Sequence, residues 1–144
     1  LVALVSQLSK IGQGNPMVPS LRPQEVEKYT YQYLRTESCR DQQCFVVERY
    51  PVSEHSGYTK QVTWIDTEEY RTFKVEYYDR KKSHLKTLRN TGFKHHKDEW
   101  WRPSKMSMQN HQTGKATDLH WSNYRFDTGL TEADFSRNSL KRAR

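Results

Sequence analysis

The stretch that decides the fold runs from residue 61 to residue 88 and reads "QVTWIDTEEYRTFKVEYYDRKKSHLKTL". Apolar or aromatic side chains recur at every second position, and two charged segments interrupt the pattern. Such alternation is typical of β-strands that turn one face to a core, and short charged segments are typical of tight turns. The stretch therefore predicts three antiparallel strands joined by two hairpins.

The same period of two continues on both sides of this stretch. Alternating segments are "EKYTYQYLR", "CFVVERY", "HLKTLRNTGF", "EWWRPSKMSMQNH" and "KATDLHWSNYRF". Short polar segments separate them, so consecutive strands should be antiparallel neighbours whose accumulated twist curls the sheet. The predicted fold class is mainly β: a curved antiparallel sheet, or half-barrel, of about seven strands with a short N-terminal helix.

The length of 144 residues predicts one domain. We expect a short amphipathic helix over residues 1–12, a proline-rich linker over 13–24, and the meander with its C-terminal tail over 25–144. The chain opens on Leu1 without an intact secretion signal, so we expect a processed or trimmed product. No stretch is long and apolar enough for a membrane helix, so we expect a soluble protein without stable membrane insertion.

The two cysteines, Cys39 and Cys44, flank "RDQQ" between two predicted strands. This spacing predicts that they face each other at the mouth of a four-residue hairpin loop, within disulfide reach. A bridge there would stabilise the fold by about 2 kcal/mol and would persist only in an oxidising compartment. Reduced thiols in a cytosolic hairpin are the alternative.

The net charge of +7 and the pI of about 9.4 make anionic partners worth testing. Dense basic clusters occur only at residues 80–82 and 141–144, where solvation of a turn and a tail is the simplest interpretation. Arg80, Lys81 and Lys82 could also meet lipid headgroups at a rim. A single-strand nucleic-acid platform needs rings and cations on one face, whereas the alternation places most of them on opposite faces, so we expect no nucleic-acid partner.

The sequence offers little for catalysis or metal binding. The six histidines have no partners at metal-ligand spacing, and the adjacent carboxylates of residues 68–69 and 98–99 lie in predicted turns. Phosphate-binding glycine loops and nucleophile motifs are missing from the sequence. We therefore predict a protein that is not an enzyme and uses no cofactor or metal.

The alternating aromatic positions predict a surface for an acyl chain. Burial of one methylene is worth about 0.8 kcal/mol, so a protein that shields a lipid chain needs a broad apolar concavity. Rings with few rotatable bonds can line such a space without collapsing into it. The prediction depends on the rings converging on one side of the sheet; a packed core under the helix is the alternative. The predicted lipid-binding residues are Tyr29, Tyr31, Tyr33, Phe45, Val47, Val62, Trp64, Phe73, Val75, Tyr77, Met106 and Met108.

In combination, "SGYTKQVTWID", "KVEYYDR", "MQNHQTG" and "LTEADFSRNSLKRAR" resemble the C-terminal part of the LolA-like family of outer-membrane lipoprotein-sorting proteins. The likeness covers roughly residues 24–144. It implies a periplasmic protein of a Gram-negative bacterium, with an incomplete barrel around an apolar cavity that binds lipid or lipoprotein acyl chains. It also implies a link to inner-membrane export complexes of the resistance-nodulation-division type. The alternative function is an envelope protein-interaction scaffold or an accessory to such an export system.

Overall fold

One open antiparallel sheet forms the described part of the protein. The computed structural model describes residues 26–96, 100–125 and 128–129. Each strand pairs antiparallel with the next, so the order in the sheet is the order in the chain, as predicted for a meander of about seven strands. The strands are β1 (Tyr29–Cys39), β2 (Gln42–Pro51), β3 (Lys60–Asp66), β4 (Thr72–Tyr78), β5 (His84–His96), β6 (Trp100–Asn110) and β7 (Ala116–His120).

Helix is almost absent from the described residues. A three-residue 3-10 helix, Val26–Lys28, precedes β1. Over the described ranges, no helix has the length and apolar character needed to cross a membrane. The predicted helix over 1–12, the linker over 13–24 and the C-terminal tail lie outside the described residues.

Cross-strand pairing sorts the side chains into two faces, because directly paired residues point to the same side of a sheet. One face carries the row Tyr31, Arg49, Gln61, Tyr77 and Lys86, and we call it the tyrosine face. The other carries the row Arg35, Val46, Trp64, Lys74 and Arg89, and we call it the tryptophan face. The position of a residue along its strand therefore determines the face on which its side chain lies.

Three bulges reverse the alternation partway along a strand. The pairing register shifts at Leu34 in β1, at Phe73 in β4 and at Leu85 in β5. An extra residue in one strand sends the residues on either side of it to opposite faces. Thr72 accordingly lies on the tyrosine face and Lys74 on the tryptophan face.

An apolar cluster lies on the tryptophan face. Cys44, Val46, Val62 and Trp64 are buried there, with Phe73 and Tyr78 packed against them. The sequence predicted that Phe73 shares a face with Val75 and Tyr77, and this is wrong because the bulge turns its ring to the other side.

The Cys39–Cys44 disulfide is confirmed, but its loop is shorter than predicted. The strands continue through both cysteines, so Arg40 and Asp41 alone make the turn. Cys39 lies opposite Gln42 and Cys44 opposite Glu37, which makes the bridge diagonal, with a Cα–Cα distance of 5.8 Å. The predicted four-residue loop is wrong because β2 begins two residues earlier than predicted, at Gln42.

A buried ion pair fixes the turn between β3 and β4. The Asp66 carboxylate is fully buried and accepts hydrogen bonds from the backbone N–H of Glu69 at 2.7 Å and of Arg71 at 2.9 Å. The Arg71 Nε donates to the same carboxylate at 2.7 Å, and its Nη2 reaches Gln42 Oε1 at 2.7 Å. Burial alone would raise the pKa of Asp66, but these hydrogen bonds outweigh it and hold that pKa below its usual value.

We predict that reduction of the disulfide lowers the free energy of unfolding by about 2 kcal/mol, because the bridge restricts the unfolded chain. Urea unfolding with and without dithiothreitol, followed by tryptophan fluorescence, measures the difference. The double variant Cys39→Ala, Cys44→Ala is the control and should not respond to the reductant. An equal response of the variant would show that the reductant acts elsewhere.

We predict that Asp66→Asn lowers the free energy of unfolding by about 3 kcal/mol at pH 7, because it leaves the Arg71 guanidinium buried without a counter-charge. The folded-state pKa of Asp66 is depressed, so its contribution is present above the ordinary value of 3.8 and is lost as the pH falls below it. The difference in the free energy of unfolding between wild type and variant should therefore become smaller below pH 3.8. Urea titrations at pH 7 and pH 3 check this.

Asp118→Asn is the matched control for Asp66→Asn. Asp118 pairs with Lys105 at 2.8 Å, but both side chains are exposed, so its removal should have a much smaller effect at pH 7. Equal losses in the two variants would contradict the special role of the Asp66 pair.

Candidate functional site

The two faces differ sharply in how their charges are paired. Within the described residues, every ion pair lies on the tryptophan face: Arg35–Glu37, Lys60–Glu48, Arg71–Asp66, Lys74–Glu76 and Lys105–Asp118. Every Asp or Glu residue that has a cross-strand partner in the sheet lies on this face. Most cations of the tryptophan face are therefore neutralised by carboxylates of the same face.

Rings and cations also meet on the tryptophan face. Lys74 Nζ lies 3.4 Å from the centroid of Trp64, and the Arg71 guanidinium lies 4.5 Å from that of Trp101. The sequence-based statement that rings and charges occupy opposite faces is thus wrong for these residues. Both cations are held by carboxylates, so the contacts are packing interactions and do not form an open platform for stacked bases.

Two histidines that are far apart in the sequence have their rings in contact in the structure. His84 and His111 have ring centroids 4.3 Å apart, and both Nε2 atoms lie within hydrogen-bond distance of Thr87 Oγ1, at 3.1 and 2.8 Å. In the part of the chain that the structure describes, no group of three or more His, Cys, Asp or Glu side chains could hold a metal ion. We interpret the pair as a hydrogen-bonded contact at the end of the sheet.

A polar row crosses the tyrosine face at one ladder level, from Tyr31 in β1 to Lys86 in β5. Arg49 is 8% exposed, and its Nε donates to Gln61 Oε1 at 2.9 Å. Its Nη2 donates to the same oxygen. The guanidinium lies 5.0 Å from the Tyr29 ring, and Lys86 Nζ lies 5.0 Å from the Tyr77 ring.

Burial sets the electrostatics of this row. Desolvation lowers the pKa of Arg49, although an arginine stays protonated in proteins at any physiological pH. Desolvation likewise raises the pKa of Tyr31 and Tyr77, and the neighbouring Arg49 only partly offsets it. Both phenols therefore remain neutral and available as hydrogen-bond donors.

An apolar row lies one ladder step away on the same face. It takes one residue from each strand from β2 to β6 and consists of Val47, Val75, Leu88 and Met108, interrupted at β3 by the buried hydroxyl of Thr63. Val47 is 2% exposed and Val75 is 4% exposed, whereas Leu88 and Met108 are half-buried. The row is thus shielded from water over its β2 to β4 part and partly exposed over β5 and β6.

Nine of the twelve predicted lipid-binding residues share the tyrosine face. These are Tyr29, Tyr31, Tyr33, Phe45, Val47, Val75, Tyr77, Met106 and Met108. Val62, Trp64 and Phe73 lie on the tryptophan face, so the predicted convergence of all twelve on one side is wrong. Their ligand contacts stay a prediction.

Sequence reasoning missed Arg49, Gln61 and Lys86 as parts of the same surface. The signal was present in the alternation, since Arg49 follows Phe45 and Val47 at intervals of two residues. The turn cations Arg80, Lys81 and Lys82 were considered instead, and the structure places them, exposed, in the turn between β4 and β5. The polar row can be recognised only from the strand pairing, which connects β2 to β5 through β3 and β4.

Comparisons with known proteins agree with this architecture. A family model described as "Uncharacterized protein" matches residues 20–142. Among curated proteins, none matches the chain significantly.

Three solved structures share the fold. A domain named as an outer membrane lipoprotein-sorting protein, from Vibrio parahaemolyticus, has 46% identity and a TM-score of 0.78 over 95% of this chain and 60% of its own. A DUF1329 family protein from Desulfovibrio piger has 26% identity and a TM-score of 0.73 over 90% of this chain and 57% of its own. A LolA superfamily protein from Nitrosomonas europaea has 24% identity and a TM-score of 0.67 over 90% of this chain and 60% of its own, a likeness of fold alone.

The chain spans 57% to 60% of the length of these three structures. The sequence motifs, the seven-stranded meander and the match to a lipoprotein-sorting domain point the same way. The chain belongs to the family whose model matches residues 20–142, and it is similar to a domain named for outer-membrane lipoprotein sorting.

Proposed function

We propose that the protein binds acyl chains of a lipid or lipoprotein on its tyrosine face, as a non-enzymatic component of the periplasm of a Gram-negative bacterium. The apolar row from Val47 to Met108 is the observation that carries this proposal. The name of the relative from Vibrio parahaemolyticus supports the same class of cargo.

The dimensions of the apolar row suit one acyl chain. Strands lie about 4.8 Å apart, so the four intervals between β2 and β6 span roughly 19 Å. A bilayer core of about 30 Å holds two layers of chains, so a single chain extends about 15 Å. A chain laid across the strands would thus cover about three of the four intervals.

The burial pattern supports the same interpretation. Leu88 and Met108 keep part of their apolar surface exposed, so an acyl chain laid against them would be removed from water at about 0.8 kcal/mol per buried methylene. Met106 and Met108 add flexible, polarizable side chains that adapt to irregular guests. Tyr33 and Leu119, which are 41% and 47% exposed, lie on the outer strands of this face.

The disulfide supports the proposed compartment. Cys39 and Cys44 are bridged, and such bridges persist in oxidising compartments such as the periplasm. A link to an inner-membrane export complex is part of the proposal and rests on the family resemblance alone.

An envelope scaffold is the competing function. It would have the same fold and carry no lipid. Native mass spectrometry of protein purified from a bacterial envelope separates the two, because a carrier should retain lipid-sized adducts and a scaffold should show the bare polypeptide mass.

We predict that Met108→Glu reduces the fraction of protein with bound lipid by about tenfold or more, because a carboxylate in the apolar row must be desolvated beside the acyl chain. Gln109→Glu is the matched control: it adds the same charge to the neighbouring residue of β6, which points to the tryptophan face. Equal loss of lipid in both variants would contradict binding on the tyrosine face. Circular dichroism verifies that both variants fold.

A further inference from the structure

The tyrosine face holds basic side chains and no acidic ones at the paired positions of its described strands. Its cations are Arg49, Lys86, Lys94 and Arg102. The ion pairs of the described residues are confined to the opposite face. This face therefore presents positive charge that the described chain does not neutralise.

The polar row is rich in hydrogen-bond donors and poor in acceptors. A guanidinium has five N–H donors, and Arg49 uses one at Nε and one at Nη2 on Gln61 Oε1. Within the described residues, its other N–H groups and the hydroxyls of Tyr31 and Tyr77 have no acceptor. Lys86 adds an ammonium group that contacts the rings of Tyr58 and Tyr77 and has no carboxylate partner among the residues that the structure describes.

Burial of a cation without a counter-charge is costly, and a bound anion reduces that cost. Arg49 is more than nine-tenths buried, and its one hydrogen-bonding side chain among the described residues is the neutral Gln61. The Tyr29 ring gives a weaker cation–π contact at 5.0 Å. An anion at this row would satisfy both the charge and the idle donors.

We infer that the tyrosine face selects an anionic phospholipid, whose phosphate headgroup lies on the row of Tyr31, Arg49, Tyr77 and Lys86 while an acyl chain follows the adjacent apolar row. This inference rests on the proposed acyl-chain binding and adds the headgroup. Adjacent rows on one face are two residues apart along a strand, roughly 7 Å, so head and chain sites fit one amphiphile.

A phosphodiester matches this row better than a fatty-acid carboxylate does. Arg49 and Lys86 stand three strand intervals apart, roughly 14 Å between their Cα atoms, and their long side chains both reach toward Tyr77 between them. Several donors spread over this distance suit a headgroup with several acceptor oxygens, since arginine forms paired hydrogen bonds with phosphate.

A competition between two lipids tests the headgroup. Delipidated protein is mixed with vesicles that contain equal amounts of phosphatidylglycerol and phosphatidylethanolamine with identical acyl chains, at 0.15 M salt. The protein is then separated from the vesicles by size exclusion, and the lipid that it carries is counted by native mass spectrometry. We expect the anionic lipid to be bound about tenfold over the zwitterionic one, as charge-assisted hydrogen bonds would give.

Two variants locate the selectivity. Lys86→Gln removes a half-buried cation of the row and should reduce the preference to about threefold or less, with acyl binding retained. Arg89→Gln removes the same charge from an exposed position on the tryptophan face and should leave the preference unchanged. Arg49→Gln should act like Lys86→Gln, and because Arg49 is buried its thermal unfolding is measured alongside.

The outcomes separate the two proposals. Binding of both lipids without preference, or an equal effect of Lys86→Gln and Arg89→Gln, would overturn the headgroup assignment and leave acyl binding standing. Carriage of neither lipid would overturn both proposals. Protein that elutes with the anionic vesicles and carries no lipid away from them would show adhesion to a charged surface, which also contradicts a built headgroup site.

Discussion

The ladder register is the constraint on which the rest of the structure depends. Side chains alternate with a period of two, so a shift by one residue would exchange the two faces of a strand. Asp66 and Arg71 anchor this register at the β3–β4 turn, where one carboxylate accepts hydrogen bonds from the backbone and from a guanidinium. With that turn fixed, the carboxylates and the cations that they pair with lie on one face, and Tyr31, Arg49, Tyr77 and Lys86 lie on the other.

Because the charges are separated in this way, the two faces have different roles. The tryptophan face binds its own cations with carboxylates and rings and thereby stabilises a sheet that has little helix among its described residues. The tyrosine face keeps Arg49 buried against a neutral amide, an arrangement that lowers stability relative to an apolar side chain. Departures of this kind from good packing are expected where a protein binds something else.

The strands could be predicted from the sequence because alternation of apolar and polar residues is a local signal. The bulges could not, since a bulge depends on where the neighbouring strand places its hydrogen bonds. Phe73 illustrates the difference: spacing assigns it to Val75 and Tyr77, but pairing with β3 sends it to Trp64. The cysteine pair was identified from its spacing, and only its turn length was misjudged. Arg49 and Lys86 lie on different hairpins, so no local pattern could join them.

The two rows of the tyrosine face should make separable contributions to binding. An acyl chain gains free energy in proportion to the apolar surface that it buries, whereas a headgroup gains it from a few directed, charge-assisted hydrogen bonds. Chain length would then set how tightly a lipid is held, and headgroup charge would set which lipid is chosen. A surface with this division can hold a variety of chains and still discriminate among heads, because selectivity depends on differences in affinity between competing ligands.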